Sequence, residues 1–140
     1  MTIRITKQFD FQMAHALKGY DGKCSNIHGH NFKLMVTVKG VPIDDPRSAK
    51  NGMVMDYVDL KRIVNERLIQ QYDHALVLPE GSPFAAIEGT KIIVVPFQPT
   101  SENLLIHFAR LLEGSLPEGV SLQSLRLYET DTSYAELILD

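Results

Sequence analysis

The sequence has a single cysteine, Cys24, so the chain cannot form an internal disulfide bond. Its fold therefore does not depend on oxidation, and a reducing compartment is compatible with it. Long apolar runs are also missing. No stretch reaches the ~18 residues of a membrane span, and the first residues lack the apolar core of a signal peptide. We expect a cytoplasmic protein with no membrane segment.

Positive charge is not in excess, because 14 lysines and arginines stand against 17 aspartates and glutamates, a net charge of −3. Nucleic-acid binders neutralise phosphates with clustered basic residues, so we expect no nucleic-acid partner. A small anionic ligand in a local basic pocket is compatible with this charge. The length of 140 residues, with 44% hydrophobic and 22% charged residues, predicts one domain over 1–140.

Apolar residues that alternate with polar ones predict strands at both ends of the chain. Residues 3–16 and 28–39 show this period, and two more strands close the sequence. Two amphipathic helices are predicted between them. The first follows a cap at Asp56 and ends near Gln71, and the second follows a cap at Thr100 or Ser101 and ends before Gly114.

Three short apolar runs complete the pattern: 53–55 predicts a short strand, 76–78 is a brief run, and 91–96 predicts a buried β-branched strand. This order of elements predicts an α+β fold, a predominantly antiparallel sheet with both helices on one face. The open edges of such a sheet favour association of identical subunits into a closed ring.

Three of the five histidines and the only cysteine lie between positions 15 and 30. His28 and His30 are two residues apart on a predicted strand, so both imidazoles project from one side, and His15 on the neighbouring strand supplies a third. Three imidazoles leave one position of a zinc ion open, which is typical of catalytic sites. Ordinary surface or core histidines are the alternative, and the density of ligands disfavours it.

Cys24 has three interpretations. The first is a fourth zinc ligand, which would make the site structural. The second is a catalytic thiol beside the metal, and the third is a small buried residue. The polar turn around it argues against burial. Lys23 and a nearby cation would both favour the thiolate.

Several polar residues elsewhere are candidates for chemistry. Asp73 and His74 are adjacent, which is typical of an acid–base pair if the side chains meet. Glu129 shares the apolar face of its strand, so it either ends in water or binds paired N–H donors. The cap at 99–102 has free N–H groups that suit an anion. His107 lies outside the main apolar stripe and is predicted to be solvated or at an interface.

Taken together, these motifs resemble the 6-pyruvoyltetrahydropterin synthase family, within its bacterial 6-carboxytetrahydropterin synthase branch. The resemblance covers nearly the whole chain, and its motifs occur in the family's order: Phe11-x-x-Ala-His15, Cys24-x-x-x-His28-Gly-His30-Asn31, Gly52-Met-Val-Met-Asp56, Asp73-His74, Pro99-Thr-Ser-Glu102 and Glu129-Thr130. Three residues separate Cys24 from His28, as in the carboxy-forming bacterial enzymes. The stretch 75–98 is longer than in the short bacterial members.

The resemblance implies the tunnelling fold, with four main antiparallel strands and two helices per subunit. Trimers close a β-barrel, and two trimers stack into a homohexamer. It also implies a site, in which zinc binds three histidines and Cys24 is the general base. Asp73 and His74 relay protons, with His74 coming from a neighbouring subunit. The remaining implied roles are a pterin anchor at Glu129 and nearby contacts from Thr100 and Ser101.

The activity that the resemblance implies is conversion of 7,8-dihydroneopterin triphosphate to 6-carboxytetrahydropterin with loss of acetaldehyde and triphosphate, a lyase step towards queuosine. Three alternatives stay open. They are a pyruvoyl-forming synthase, an aldolase-like cleavage that releases 6-hydroxymethyldihydropterin, and a structural zinc or pterin-binding module without turnover.

Overall fold

The computed structural model describes residues 1–140, and its frame is one six-stranded sheet in the order β4-β3-β1-β2-β5-β6. The strands are β1 (Ile3–His15), β2 (His28–Gly40), β3 (Ala75–Pro79), β4 (Ile92–Val95), β5 (Ser121–Thr130) and β6 (Ser133–Ile138). Strands β1, β2, β5 and β6 pair antiparallel, as predicted. None of the helices has the length and apolarity that a membrane span requires.

The predicted four-stranded sheet lacks the two strands on the other side of β1: the sequence predicts 91–96 as a strand without a place in that sheet, and 76–78 only as a brief apolar run. Strand β3 pairs parallel with β1, and β4 pairs parallel with β3, so the sheet is mixed. All five residues of β3 are buried, because the helices cover one face and Phe84 packs over Leu76 and Leu78 on the other. Parallel strands that are buried on both faces read as short continuous apolar runs, which is why 76–78 lacked the alternation of a strand.

Two other predicted strands need correction. The β-branched run at 91–96 forms β4, but as an edge strand it buries Val95 and leaves Val94 49% exposed. The predicted strand at 53–55 is absent, since the chain turns there. The amide of Gly52 donates to the carbonyl of Ile43 at 2.7 Å, and Gly52 has a φ of 85° that favours glycine.

The helices begin at the predicted caps. Helix α1 (Tyr57–Val64) continues through a π-helical turn (Asn65–Ile69) into the short α2 (Gln70–Tyr72), and α3 spans Ser101–Leu112. The side chain of Asp56 accepts a hydrogen bond from the amide of Val58 at 2.8 Å, and Thr100 accepts one from Asn103 at 3.2 Å. Each cap satisfies an amide that the first helical turn leaves free.

The π-helical turn keeps the buried stripe of the first helix facing the sheet. Its members are spaced by four: Leu60, Val64, Leu68 and Tyr72, all of them buried. At about 100° per residue, twelve residues of α-helix would carry the last member roughly 120° away from the first. A π turn, with its i→i+5 bonds, winds less per residue and offsets part of this drift. Tyr72 is therefore only 3% exposed.

The core lies between the helices and one face of the sheet. Phe11 stacks on Phe32 across β1 and β2 with ring centroids 5.5 Å apart, and Phe108 of α3 meets Phe11 edge-on at 6.3 Å. Apolar rings in these arrangements add to the energy of area burial. Both helices therefore pack on the same face of the sheet, as the amphipathic patterns predict.

His107 is half-buried rather than solvated, and its alternative place at an interface stays a prediction. Its Nε2 lies 2.7 Å from the hydroxyl of Tyr72, and its ring is 5.2 Å from that of Phe97. Although His107 lies beside the main apolar stripe of α3, Tyr72 and Phe97 come from other segments and cover it. A one-dimensional pattern does not reveal such neighbours.

We expect His107 to make the protein less stable in acid. Burial lowers the pKa of His107, and the charge of Arg110 lowers it further. Between this lowered pKa and the ordinary value of about 6.5, the unfolded chain binds more protons than the native one, so the free energy of unfolding decreases as the pH falls. Urea unfolding of wild type and His107→Gln at about pH 7.5 and about pH 5.5 measures this. Equal losses on acidification in both proteins would contradict it.

Candidate metal centre

Three histidines meet at one end of the β1–β2 pair. His15 lies opposite His28 in the antiparallel register, and His30 lies opposite Met13. Directly opposed residues share a face of the sheet, as do residues two apart along a strand. The three rings consequently cluster on the core-facing side, with centroids 4.5, 4.9 and 5.4 Å apart. The side chains converge as their spacing predicts, while their role as metal ligands stays a prediction.

Glu129 completes the cluster from β5. Leu127 pairs with Leu34 on the core face, and the carboxylate two residues later is directed to the same side. Its Oε1 lies 3.2 Å from Nε2 of His15 and 3.4 Å from Nε2 of His30. The four candidate ligand atoms lie within 4.8 Å of one another, so the cluster can bind a metal ion. The sequence placed Glu129 on the apolar face but gave no sign that it reaches the histidines.

Backbone carbonyls orient two of the imidazoles. Nδ1 of His15 lies 2.7 Å from the carbonyl oxygen of Pro99, and Nδ1 of His28 lies 2.8 Å from that of Asn26. A carbonyl oxygen only accepts, so each Nδ1 must carry the proton, and each Nε2 presents its lone pair to the cluster. Metal-binding histidines are characteristically fixed by a hydrogen bond of this kind.

The three Nε2 atoms, of His15, His28 and His30, are buried without a hydrogen-bond partner. The contact between His15 and Glu129 is short enough but poorly directed for a hydrogen bond. A buried polar atom without a partner costs about 1–3 kcal/mol, so three at one point are a substantial penalty. A divalent transition-metal ion would satisfy all three at once, and imidazole nitrogens with a carboxylate suit such ions. The residues therefore fit a metal.

The electrostatics favour the same interpretation. The contact with His15 lowers the pKa of Glu129, and burial opposes this effect. Burial lowers the pKa of His30. An ionised carboxylate and a histidine that loses its proton readily are the states that bind a cation.

Cys24 lies outside the cluster. It occupies a 3-10 turn (Lys23–Ser25) in the loop between β1 and β2, where it is half-buried, and its carbonyl accepts the amide of Leu17 at 2.8 Å. Its thiol is not among the ligand atoms that converge on the three histidines. Of the alternatives from the sequence, a fourth ligand of a structural site has no support from this geometry.

Asp73 and His74 form the pair that their adjacency suggested. The carboxylate Oδ1 of Asp73 lies 3.0 Å from Nδ1 of His74 and accepts the amide of Gln12 at 3.0 Å. The amide of His74 donates to the carbonyl of Gln12 at 2.5 Å. His74 is 70% exposed in its side chain and is not one of the converging ligands. It lines, with His30, a cleft of about 400 Å³ along β1, β2 and the start of β3.

Thr100 and Ser101 begin α3 directly after Pro99, whose carbonyl orients His15. The hydroxyl of Thr100 caps the helix, and that of Ser101 donates to the carboxylate of Glu102 at 2.9 Å. The fold thus places both residues beside the metal centre, with their hydroxyls in local bonds. Their contact with a substrate stays a prediction.

Comparison with known proteins agrees with this geometry. The family model described as 6-pyruvoyl tetrahydropterin synthase matches residues 4–138. The chain belongs to the 6-pyruvoyl tetrahydropterin synthase family. Within this family it is similar to the 6-carboxy-5,6,7,8-tetrahydropterin synthase of Haemophilus influenzae, at 39% identity over 95% of this chain and 96% of that protein.

Two further members show the breadth of the 6-pyruvoyl tetrahydropterin synthase family. The 6-pyruvoyl tetrahydrobiopterin synthase of Pongo abelii is 38% identical over 80% of this chain and 68% of its own length. The structure of the Caenorhabditis elegans 6-pyruvoyl tetrahydropterin synthase superposes with a TM-score of 0.71 at 26% identity, covering 100% of this chain and 97% of that one. The α+β fold with a mixed sheet is therefore the family's fold.

We expect the histidine cluster to bind zinc and to stabilise the native state. Adding zinc to chelator-treated protein should raise Tm, because an ion that binds only the folded chain contributes RT ln(1 + [L]/Kd), about 2.7 kcal/mol at a hundredfold excess over Kd. His30→Ala removes one nitrogen and should weaken binding at least about tenfold. A thermal unfolding scan measures Tm and calorimetric titration measures the affinity for zinc, with His107→Gln as the control. Wild-type affinity in His30→Ala would contradict the site.

Proposed function

We propose that this chain is a zinc-dependent 6-carboxy-5,6,7,8-tetrahydropterin synthase. It acts as a carbon–carbon lyase on 7,8-dihydroneopterin triphosphate, and the products are 6-carboxytetrahydropterin, acetaldehyde and triphosphate. The observation that carries the proposal is the convergence of three unpartnered Nε2 atoms in a family whose full-length H. influenzae member has this name. The partner is then a small pterin triphosphate, with no nucleic acid and no membrane, and the proposed location is the cytoplasm.

His15, His28 and His30 would hold the zinc ion through Nε2, with the carbonyls of Pro99 and Asn26 keeping the first two rings in place. Three protein nitrogens leave a position open for substrate, as in catalytic rather than structural zinc sites. When bound there, zinc supplies Lewis-acid polarisation of the substrate side chain. Glu129 lies beside two of these histidines, with Oε1 3.2 Å from Nε2 of His15 and 3.4 Å from Nε2 of His30.

Cys24 is the proposed general base, which removes a proton from a side-chain carbon of the pterin. Its half-exposed position in the loop that leads into β2 brings it near His28 along the chain without making it a ligand. The carboxylate of Asp73 lies 3.0 Å from Nδ1 of His74, so it can stabilise the protonated ring while His74 passes protons to and from solvent or substrate.

The exposure of His74 supports an assembled site. Its side chain is 70% exposed and separate from the four converging ligands. We therefore propose a homohexamer of two trimers, in which His74 serves the metal centre of a neighbouring subunit and the sheets close into a barrel. The exposed outer strand β6, where Tyr134 is 52% and Ile138 70% exposed, supports pairing through this sheet edge.

Glu129 is the proposed pterin anchor, accepting from the N3–H and the 2-amino group together. Such paired donors suit a carboxylate, and its lowered pKa keeps it ionised. Thr100 and Ser101 would line the same pocket from the start of α3. The competing role for Glu129 is a fourth metal ligand, which its 3.2 Å distance from Nε2 of His15 also allows.

Product analysis tests the activity. We expect the zinc-loaded protein to convert 7,8-dihydroneopterin triphosphate to a product with the mass of 6-carboxytetrahydropterin. The second candidate is a 6-pyruvoyl-forming synthase, favoured by the similarity to the P. abelii enzyme at 38% identity. A pyruvoyl or a 6-hydroxymethyl product would replace the proposed activity with one of the rival ones. Bound zinc and pterin without turnover would identify a binding module.

The same activity assay tests whether Cys24 is the general base. In Cys24→Ala we expect kcat to fall by about 10²–10⁴-fold, the usual contribution of a general base, while zinc content stays at the wild-type level. Loss of zinc together with activity would instead make the thiol a ligand. Metal analysis of the purified variant separates these results.

Glu129→Gln separates the two roles of this residue. As a pterin anchor, the carboxylate makes charge-assisted hydrogen bonds worth about 1.5–3 kcal/mol each, so its loss should raise KM by at least about tenfold. Zinc affinity should stay unchanged, because three histidines remain. Steady-state kinetics and zinc titration measure the two effects, with Glu136→Gln on β6 as the matched control. A drop in zinc affinity at constant KM would make Glu129 a ligand.

A further inference from the structure

The segment that leads into the Asp73–His74 pair ends in a buried tyrosine. Tyr72 directly precedes Asp73 and is only 3% exposed. Its ring packs edge-on against Phe108 of α3 at 5.2 Å, and its hydroxyl lies 2.7 Å from Nε2 of His107 on the same helix. The end of α2 is thus tied to α3 by one polar contact inside an apolar environment.

The contact is a hydrogen bond between two neutral groups. Burial raises the pKa of Tyr72 and lowers that of His107, so neither is charged near neutral pH. Phe97 lies in the segment after β4, and its ring centroid is 5.2 Å from that of His107, which it partly covers. A phenol that is buried without a partner would lose hydrogen-bond energy, so the bond fixes Tyr72 in both depth and direction.

The residues after Tyr72 are fixed from two other sides. The amide of His74 and the carboxylate of Asp73 both bond to the backbone of Gln12 on β1. Lys91 donates from Nζ to the carbonyl of Gln70 at 2.9 Å and to that of Asp73 at 3.1 Å. The bond to His107 is the only hydrogen bond between this segment and α3.

This arrangement serves an unusual backbone. His74 is the only residue other than glycine with a positive φ, 64°. The left-handed region costs an ordinary residue roughly 1–2 kcal/mol, and such strain persists only where the surroundings determine it. A small rotation of the Tyr72 backbone would shift the peptide between Asp73 and His74, and this peptide determines where the imidazole of His74 points.

We propose that the hydrogen bond between Tyr72 and His107 positions the Asp73–His74 pair, which makes both of them positioning residues. The inference rests on the proposed function where it assigns proton transfer to this pair. Packing alone would be served by phenylalanine at 72 and leucine at 107, whereas the hydroxyl and the imidazole add a fixed direction. Displacement of a catalytic group by about 1 Å can cost a hundredfold in rate.

Three single variants and one double variant test the proposal on the zinc-loaded, full-length protein. Tyr72→Phe and His107→Leu remove the hydrogen bond but keep apolar bulk, and we expect kcat to fall about tenfold with KM within about twofold. His107→Gln can still bond to the phenol, and kcat should stay within about threefold of wild type. The double variant Tyr72→Phe/His107→Leu should be no slower than His107→Leu alone, because both changes remove one interaction.

A matched control excludes a general loss of stability. Leu112→Ala, at the other end of α3, removes a side chain that is 3% exposed and should lower Tm while leaving kcat unchanged. The proposal is overturned if kcat in Tyr72→Phe and His107→Leu stays within twofold of wild type, if KM changes instead of kcat, or if Leu112→Ala lowers kcat equally.

A second measurement does not depend on turnover. In Tyr72→Phe, we expect faster hydrogen exchange of the His74 amide and a shifted ring resonance of His74 by NMR, with the amide of Leu125 in β5 unaffected. Absence of turnover in the wild-type protein would refute the proposed function and leave this measurement decisive. Unchanged exchange and an unchanged ring resonance of His74 would overturn the positioning role.

Discussion

The antiparallel register between β1 and β2 is the constraint on which the metal centre depends. It sets His15 opposite His28 and His30 opposite Met13, and it continues inward to the stacked pair Phe11 and Phe32. A slip by one residue would move a whole strand's side chains to the other face. The apolar residues that pack under the helices therefore hold the three imidazoles on one side of the sheet. The register between β1 and β2 thus determines both the core and the site.

This coupling explains why the centre lies at the border of the core. His15 is 2% exposed and Phe32 is fully buried below it, with ring centroids 5.9 Å apart. Such surroundings strengthen electrostatic interactions and make unpartnered nitrogens costly. An apolar floor on one side of the cluster would also keep water away from an ion bound by the histidines.

The parts that could be predicted from sequence are those that short-range periodicity determines. The spacing of His28 and His30 and the alternation through Leu127 to Glu129 follow from strand geometry, and the caps at Asp56 and Thr100 follow from local chemistry. The parallel pairing of β3 and β4 did not follow, since an apolar run of four or five residues looks the same in either direction. The bond between Tyr72 and His107 joins residues 35 positions apart and depends on a π turn that only tertiary packing selects.

At position 74 the residue that the backbone conformation favours differs from the residue that is present. Glycine would adopt a φ of 64° without strain, so folding alone favours glycine there. The chain instead carries an imidazole that is 70% exposed, contributes nothing to the core and lies 3.0 Å from the carboxylate of Asp73. Contacts from Gln12 and Lys91 offset the strain around it. Because this side chain adds no burial that would offset the strain, packing does not account for an imidazole at position 74, whereas the proton transfer proposed for it would require one.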